Sequence, residues 1–248
     1  MKDITVAVIG NSKFNDRALE RTLSVIDCKK VLTFTTEVIH PTATHIPVKD
    51  NFSRSDFNLF CLKNLWPFID TEHVLLVHYD AIAVNKDFWT DDFLKYDYIG
   101  APWPGDYSWI KPEERVGNGG FSLRSKKLLE ALKDFEIKSS EGNDRTENED
   151  AVICQTYRQF LKENYKINFA PIDVAHKFSQ ELCNMQGKTF GFHGLWNMPY
   201  YFNEDEIILY LNEIKKDYWS QDRIDIFLNY CAMTGCHKVL KFINENFV

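Results

Sequence analysis

Near the start of the chain stands the run ITVAVIG at residues 4–10, which is apolar, rich in β-branched residues and closed by a glycine. Such a run predicts a buried strand. Residues 15–26 carry apolar side chains at helical spacing behind Asn15, a residue type that can cap a helix. A second β-branched run, VLTFTT, occupies residues 31–36. Strand, helix and strand in this order predict a right-handed crossover and a parallel sheet.

Further along the chain, strand and helix patterns alternate until only helical patterns remain. Apolar runs predict strands at 73–78, 81–84, 96–100, 166–169 and 189–192. Loops are predicted at 37–52 and 134–148. Helical spacing predicts helices that begin near residues 53, 88, 125 and 149, and then at 204–217, 221–234 and 236–246. The pattern predicts an α/β domain over residues 1–200 and a helical C-terminal appendage over residues 201–248.

The composition indicates a globular protein that does not bind nucleic acid. Hydrophobic residues make up 44% of the chain and the net charge is −7, whereas a nucleic-acid backbone requires clustered Lys and Arg. Six cysteines show no CxxC pair. We see neither a signal peptide nor an apolar stretch of the ~18 residues that a membrane span needs. We therefore expect a cytoplasmic protein without a transmembrane segment. Cys231, Cys236 and His237 leave a partial zinc motif as an alternative.

Two segments place polar side chains among glycines: VGNGGFSLR at residues 116–124 and GFHG at residues 191–194. Glycine allows the backbone to approach a ligand closely and to adopt a positive φ. The first segment fits neither the GxGxxG fingerprint nor a P-loop, so its residue types alone predict a tight turn. Arg124 at its end and Arg54 are candidate partners for a phosphate.

A carboxylate and a histidine follow two of the predicted strands. Asp80 ends the triplet HYD at residues 78–80, beyond the end of an apolar strand, where ligands bind in open α/β sheets. A carboxylate there can hold Mg²⁺ or Mn²⁺, although an Asp can also simply cap a turn. His193 stands between two glycines. Imidazole and carboxylate together suit Mn²⁺ better than Mg²⁺, while a packed or solvated histidine is the alternative.

The adjacent acids Glu149 and Asp150 open a predicted helix. Carboxylates are favoured at a helix N-terminus by capping and by the dipole, which explains one of the two. A carboxylate in such a place can also act as a general base toward an acceptor hydroxyl. Trp103 and Trp109, in the loop before the glycine segment, can stack on a base or sugar or can form a packed lid.

Taken together, the motifs resemble one family. YIGAPW at 98–103, GNGGFSLR at 117–124, the Glu149-Asp150 pair, FAP at 169–171 and GFHG at 191–194 occur in the same order in bacterial and viral glycosyltransferase-like proteins catalogued mainly as a domain of unknown function. The resemblance spans roughly residues 70–196. More distantly, the layout is similar to that of GT-A glycosyltransferases, which use a nucleotide-sugar donor and usually Mn²⁺. It implies a GT-A-like, Rossmann-type mixed sheet flanked by helices.

The resemblance also implies roles for individual residues. GT-A enzymes bind metal and ribose through an Asp-x-Asp triplet, and the matching residues here are His78, Tyr79 and Asp80. Asp80 takes the metal-binding position, and His78 replaces the first acid. His193 corresponds to a late histidine that completes the metal coordination. The segment Asn118-Gly119-Gly120 corresponds to the lining of the donor sugar site.

We therefore expect an inverting, metal-dependent glycosyltransferase of the hexosyltransferase type. Its donor would be a nucleoside-diphosphate sugar, first of all a UDP-sugar, and its acceptor a hydroxyl of a glycan or another molecule. The cofactor would be Mn²⁺ or Mg²⁺. Asp150 is the first candidate for the catalytic base and Glu149 the second. A metal-dependent hydrolase of a sugar or phosphodiester and a non-catalytic nucleotide- or glycan-binding module stay open as alternatives.

Overall fold

The computed structural model describes residues 2–105, 110–133, 148–214 and 219–246. Its residues form two compact units that divide between His193 and Gly194, whereas the sequence analysis places the boundary after residue 200. Trp109 and the predicted loop at 134–148, apart from Asn148, lie outside the described residues.

The first unit contains two sheets. The described strands are β1 (Lys2–Ile9), β2 (Cys28–Thr35), β3 (Thr44–Pro47), β4 (His73–Val77), β5 (Ala81–Ala83), β6 (Tyr98–Gly100), β7 (Ser122–Ser125), β8 (Ser179–Gln180) and β9 (Gly191–His193). Six of them form a mixed sheet in the order β3-β2-β1-β4-β7-β6, and three form a small sheet in the order β5-β9-β8. β1 pairs in parallel with both β2 and β4, which confirms the predicted parallel pairing of the first two strands. β7 runs antiparallel to β4 and β6.

Helices flank the large sheet and make up the second unit. The described α-helices are α1 (Asn15–Val25), α2 (Arg54–Leu59), α3 (Lys126–Lys133), α4 (Glu149–Ala151), α5 (Arg158–Tyr165), α6 (Ile172–Phe178), α7 (Glu204–Glu213), α8 (Gln221–Thr234) and α9 (His237–Asn246). α2 continues as a π-helix over Phe60–Asn64, and α4 continues as one over Val152–Thr156. Short 3₁₀ helices occupy Trp66–Phe68, Lys86–Phe88, Asp91–Lys95, Pro112–Glu114 and Leu195–Tyr200.

The core of the first unit lies on β1 and β4. Every residue of β4 is buried, as expected of a strand that is covered on both faces. Ala7 and Ile9 of β1 and Leu76 of β4 share one apolar cluster with Cys61 of the π-helix and Leu129 of α3. This packing fixes the ends of β1 and β4, from which the candidate site is built.

Three local predictions are wrong, each for a physical reason. Asn15 does not cap α1, because its buried side chain instead donates to the Gly10 carbonyl at 2.8 Å and accepts from the Tyr79 N–H at 2.9 Å. Residues 166–169 form only a single bridge to β6, since Lys166 ends α5 in a left-handed conformation. The predicted loop at 37–52 contains the strand β3, whose position at the sheet edge tolerates a proline at its end.

The second unit follows the helical patterns of the sequence. α7, α8 and α9 confirm the helices predicted at 204–217, 221–234 and 236–246, with residues 215–217 outside the description. α7 begins with a capping box between Asn203 and Glu206, which satisfies the free N–H groups of its first turn. None of the helices in the described part of the chain combines the length and hydropathy needed to cross a bilayer.

Candidate active site

A tight turn places Asp80 at the end of β4. The backbone of His78 exchanges two hydrogen bonds with Ala81, at 2.9 and 3.0 Å, which leaves Tyr79 and Asp80 as the two residues of the turn. The Asn15 side chain holds the turn from the other side through the Tyr79 N–H. Asp80 is thereby fixed at the carboxyl edge of the large sheet, where ligands bind in folds of this kind.

The small sheet lines up three titratable side chains. β5 pairs antiparallel with β9, so that Ala81 lies opposite His193, and β8 pairs in parallel with β9, with Gln180 opposite Phe192. Asp80 precedes β5 and Glu181 follows β8, so both lie beside His193. His193 Nε2 is 3.9 Å from Asp80 Oδ2, and its Nδ1 is 3.4 Å from Glu181 Oε1. Both acids are buried, whereas the His193 side chain keeps 22% of its exposure.

The electrostatics of this cluster favour a cation. Burial alone would lower the pKa of His193, but the hydrogen bond to Glu181 and the charges of Asp80, Glu181 and Asp150 raise it to about 9. A positive charge on the imidazole is therefore stabilised by these acids. Among the residues the structure describes, no group of three or more His, Cys, Asp or Glu side chains could hold a metal by itself. Asp80 and His193 offer one carboxylate and one imidazole, so phosphate oxygens and water would have to supply the remaining ligands.

Asp150 is held by the glycine segment beside this cluster. Its Oδ2 accepts the N–H of Gly119 at 3.0 Å, and its Oδ1 accepts the N–H of Ala151 at 2.8 Å. The Gly119 carbonyl accepts hydrogen bonds from the Ser122 hydroxyl at 2.8 Å and from Arg124 at 3.3 Å. The half-buried Asp150 carboxylate is thus oriented by two backbone donors on a segment that is itself held in place.

Glu149, the neighbour of Asp150, points into the protein. Its Oε2 lies 2.8 Å from Nη2 of Arg124, and both side chains are buried. The Arg124 guanidinium also donates to Ser122 at 3.0 Å and lies 5.4 Å from the centre of the Tyr98 ring. Burial raises the pKa of Glu149, and Arg124 counteracts part of this effect. Glu149, the second candidate base, and Arg124, a candidate phosphate partner, are therefore engaged with each other in the interior.

The glycines of the segment are required by space and not by backbone angle. The described glycines with positive φ are Gly10, Gly187, Gly194 and Gly235, so Gly194 of the GFHG segment uses this freedom, whereas the glycines at 117–120 do not. A Cβ atom on Gly119 would overlap the Glu149 carboxylate, and one on Gly120 would overlap the His193 imidazole. The segment is therefore a thin wall between the buried ion pair and the metal-type cluster.

The remaining sequence candidates occupy different environments. Trp103 is 6% exposed and packs on Gly117 within the core, which favours the packed alternative, and its stacking on a ligand stays a prediction. Arg54 is exposed at the start of α2, one turn before Asn58, whose side chain accepts the Glu149 N–H at 3.4 Å.

Two polar atoms near the turn are buried without a hydrogen-bond partner among the described residues. They are Nε2 of His78 and Oδ1 of Asn118. His78 bonds the Ile9 backbone, and burial, the largest influence, lowers its pKa. Because Nε2 has no partner, the Ile9 bond uses Nδ1. Nε2 is then left as an acceptor on a neutral ring.

Glu181 is the site residue that the sequence analysis missed. It follows a strand of only two residues, which leaves no periodic pattern to read. One signal was present, because Glu181 is the only acid between Asp173 and Glu204. That isolation, just upstream of the GFHG segment, could have indicated a specific task.

Fold and site together define a mixed α/β protein with a carboxylate–imidazole cluster at the carboxyl edge of its sheet. The chain belongs to the family described as Protein of unknown function (DUF5672), whose model matches residues 44–193. Among solved structures, it is similar to the bifunctional IspDF from Campylobacter jejuni, with 17% identity and a TM-score of 0.39. That match covers 58% of this chain and 46% of the other. No curated protein matches the chain.

Proposed function

We propose that the chain is an inverting, metal-dependent glycosyltransferase that uses a nucleoside-diphosphate sugar, with a UDP-sugar as the first donor to test. One observation carries the proposal. Asp80 and His193 lie side by side on one side of the Gly119–Gly120 wall, and the Asp150 carboxylate is held by the same wall. A cation site and an oriented base at one short backbone segment suit the attack of a hydroxyl on a sugar that carries a diphosphate.

The residues present fit a divalent metal that also binds the donor. Asp80 and His193 would hold Mn²⁺ or Mg²⁺, and two protein ligands leave positions for diphosphate oxygens. When bound, the metal acts as a Lewis acid that neutralises charge on the departing diphosphate. The strand order β3-β2-β1-β4 in one half of the sheet supports a Rossmann-type, GT-A-like assignment.

In the proposed reaction, Asp150 acts as the general base. It takes the proton of the acceptor hydroxyl while that oxygen forms a bond to the anomeric carbon. The bond from the anomeric carbon to the phosphate oxygen breaks on the opposite face, and the nucleoside diphosphate leaves with the electron pair. His78, in the place of the first acid of the GT-A triplet, offers Nε2 as an acceptor for a ribose hydroxyl. The Oδ1 atom of Asn118 offers a second acceptor for the donor.

The first test is thermal unfolding with UDP, GDP, CDP or dTDP, each in Mn²⁺ and in EDTA. A ligand that binds the native state raises the midpoint by mass action. We expect one nucleotide to raise it only with Mn²⁺, and Asp80→Asn to abolish the rise. Asp87→Asn, at an exposed position, serves as the matched control and should keep it.

Turnover is then measured as release of the nucleoside diphosphate from the matching nucleotide sugar, with and without acceptors. We expect release to depend on an acceptor and to fall about 10²–10⁴-fold in Asp150→Asn. Release that ignores the acceptor would indicate a hydrolase. Binding without any turnover, unaffected by Asp150→Asn, would indicate a binding module, and no shift with any nucleotide would contradict a nucleotide-sugar donor.

A further inference from the structure

Glu181 has no role in the reaction described above, although it is buried against the centre of the site. Its Oε1 lies 3.4 Å from Nδ1 of His193, while Asp80 faces the other ring nitrogen, Nε2. The arrangement is a consequence of topology, since β9 lies between β5 and β8 and its pairings place one acid on either side of the histidine.

We propose that Glu181 is a positioning residue that orients His193 for the metal. Its Oε1 lies 3.4 Å from Nδ1, close enough to take the Nδ1–H of the imidazole when a metal is bound, which would fix both the tautomer and the plane of the ring. A metal would then take the place of the Nε2 proton, on the side of Asp80. Histidines that bind metals commonly donate their other ring N–H to a carboxylate, and loss of that partner typically weakens metal binding 10–100-fold.

The geometry favours this role over direct coordination by Glu181. The two ring nitrogens of an imidazole direct their lone pairs away from each other, so a metal shared by Nε2 and Asp80 lies on the far side of the ring from Oε1. Gly120 adds a second constraint, because its missing Cβ lets the backbone lie against the face of the imidazole, over Nε2 and Cδ2. The ring therefore has a carboxylate near one nitrogen and the backbone of Gly120 against its face, which limits its rotation.

Three substitutions separate contact from charge at this position. Glu181→Gln keeps an acceptor oxygen without the charge. Glu181→Asp keeps the charge but shortens the side chain by one methylene, which removes the contact. Glu181→Leu removes both. Glu130→Gln, at an exposed position on α3, is the control.

The readout is the Kd for Mn²⁺ alone, obtained by counting free Mn²⁺ in solution by EPR, with the thermal midpoint of each variant measured in parallel. We expect Glu181→Gln to stay within about threefold of wild type, and Glu181→Asp and Glu181→Leu to bind about 10–100-fold more weakly. If Glu181→Asp binds Mn²⁺ as well as wild type does, Glu181 acts through its charge and not through its contact with His193. If Glu181→Gln binds Mn²⁺ as weakly as Glu181→Leu, Glu181 acts as a metal ligand or through its charge. Either result overturns its assignment as a positioning residue.

The inference rests on the metal site of the proposed function, but its test involves neither nucleotide nor sugar. If the expected order of Mn²⁺ affinities is found and no glycosyl transfer occurs, the transferase proposal fails and the role of Glu181 stands. If the wild-type protein binds no Mn²⁺, the proposed role of Glu181 fails. Should Glu181→Leu not fold, the comparison between Gln and Asp still decides between contact and charge.

Discussion

The two sides of the Gly119–Gly120 wall use the same kinds of side chain for opposite purposes. On the inner side, Arg124 and Glu149 are buried and bind each other at 2.8 Å. On the outer side, Asp80 and Asp150 lie around the partly exposed His193, where negative charge exceeds positive. A buried charge depends on its partner, whereas a cluster with excess negative charge suits a cationic ligand. The balance of charge, not residue type, separates the two.

The largest effect should come from breaking the inner pair. Glu149→Leu leaves the buried Arg124 guanidinium without its counter-ion, and removal of one partner of a buried pair typically costs about 3–5 kcal/mol. We expect the free energy of unfolding, measured by urea denaturation, to fall by that amount.

The double variant Arg124→Met/Glu149→Leu is the control for this prediction. It replaces both charges with apolar side chains, and such exchanges are often neutral or stabilising. It should therefore recover most of the stability lost in the single variant. If the free energy of unfolding of Glu149→Leu lies within about 1 kcal/mol of the wild-type value, the inner pair does not have a structural role.

Adding one methyl group to the wall should have a smaller effect, and the effect should differ between Gly119 and Gly120. Gly119→Ala pushes a Cβ into the buried Glu149 carboxylate, which has no room to withdraw, and overpacking of this kind costs about 1–3 kcal/mol. Gly120→Ala pushes instead on His193, whose side chain is 22% exposed and therefore has more room to yield than the Glu149 carboxylate. Urea denaturation should show the larger loss of stability for Gly119→Ala.

Mn²⁺ binding should show the reverse order for the same two variants, because only Gly120→Ala displaces a predicted metal ligand. Equal effects of the two alanines on both stability and Mn²⁺ affinity would mean that the wall does not separate two environments.

Much of the fold could be predicted from local pattern. The apolar runs of β1 and β4 and the helical spacing of α1 and α7–α9 reflect burial that follows the period of the element itself. Residues 166–169 had the right composition for a strand, but the left-handed Lys166 and the start of α6 left no length for pairing. β8, with two residues, has no period at all.

The sequence singles out the residues of the candidate site, but it does not show which of them face the cluster and which face the interior. Asp80, His193 and Asp150 stand next to glycines or at the ends of elements, where chemistry leaves a local signal. Glu149 and Asp150 are indistinguishable in sequence, because only the distant Arg124 and Asn58 determine which of the two turns inward. Gly119 and Gly120 are likewise required by contacts with residues far away in the chain, and a single sequence does not reveal such contacts.

The most sensitive test of the comparison is the pair of adjacent acids, each changed to its amide. Asp150→Asn keeps one carbonyl oxygen for a backbone N–H and lies half-buried, so we expect the unfolding free energy to change by about 1 kcal/mol or less. Glu149→Gln puts a neutral group against a buried guanidinium and should cost clearly more in the same urea titration. Activity should respond more strongly to Asp150→Asn than stability does, since that carboxylate is the proposed base. If the two amides cost the same stability, then the adjacent acids share one environment, and the assignment of Asp150 alone to the outer side of the wall has to be given up.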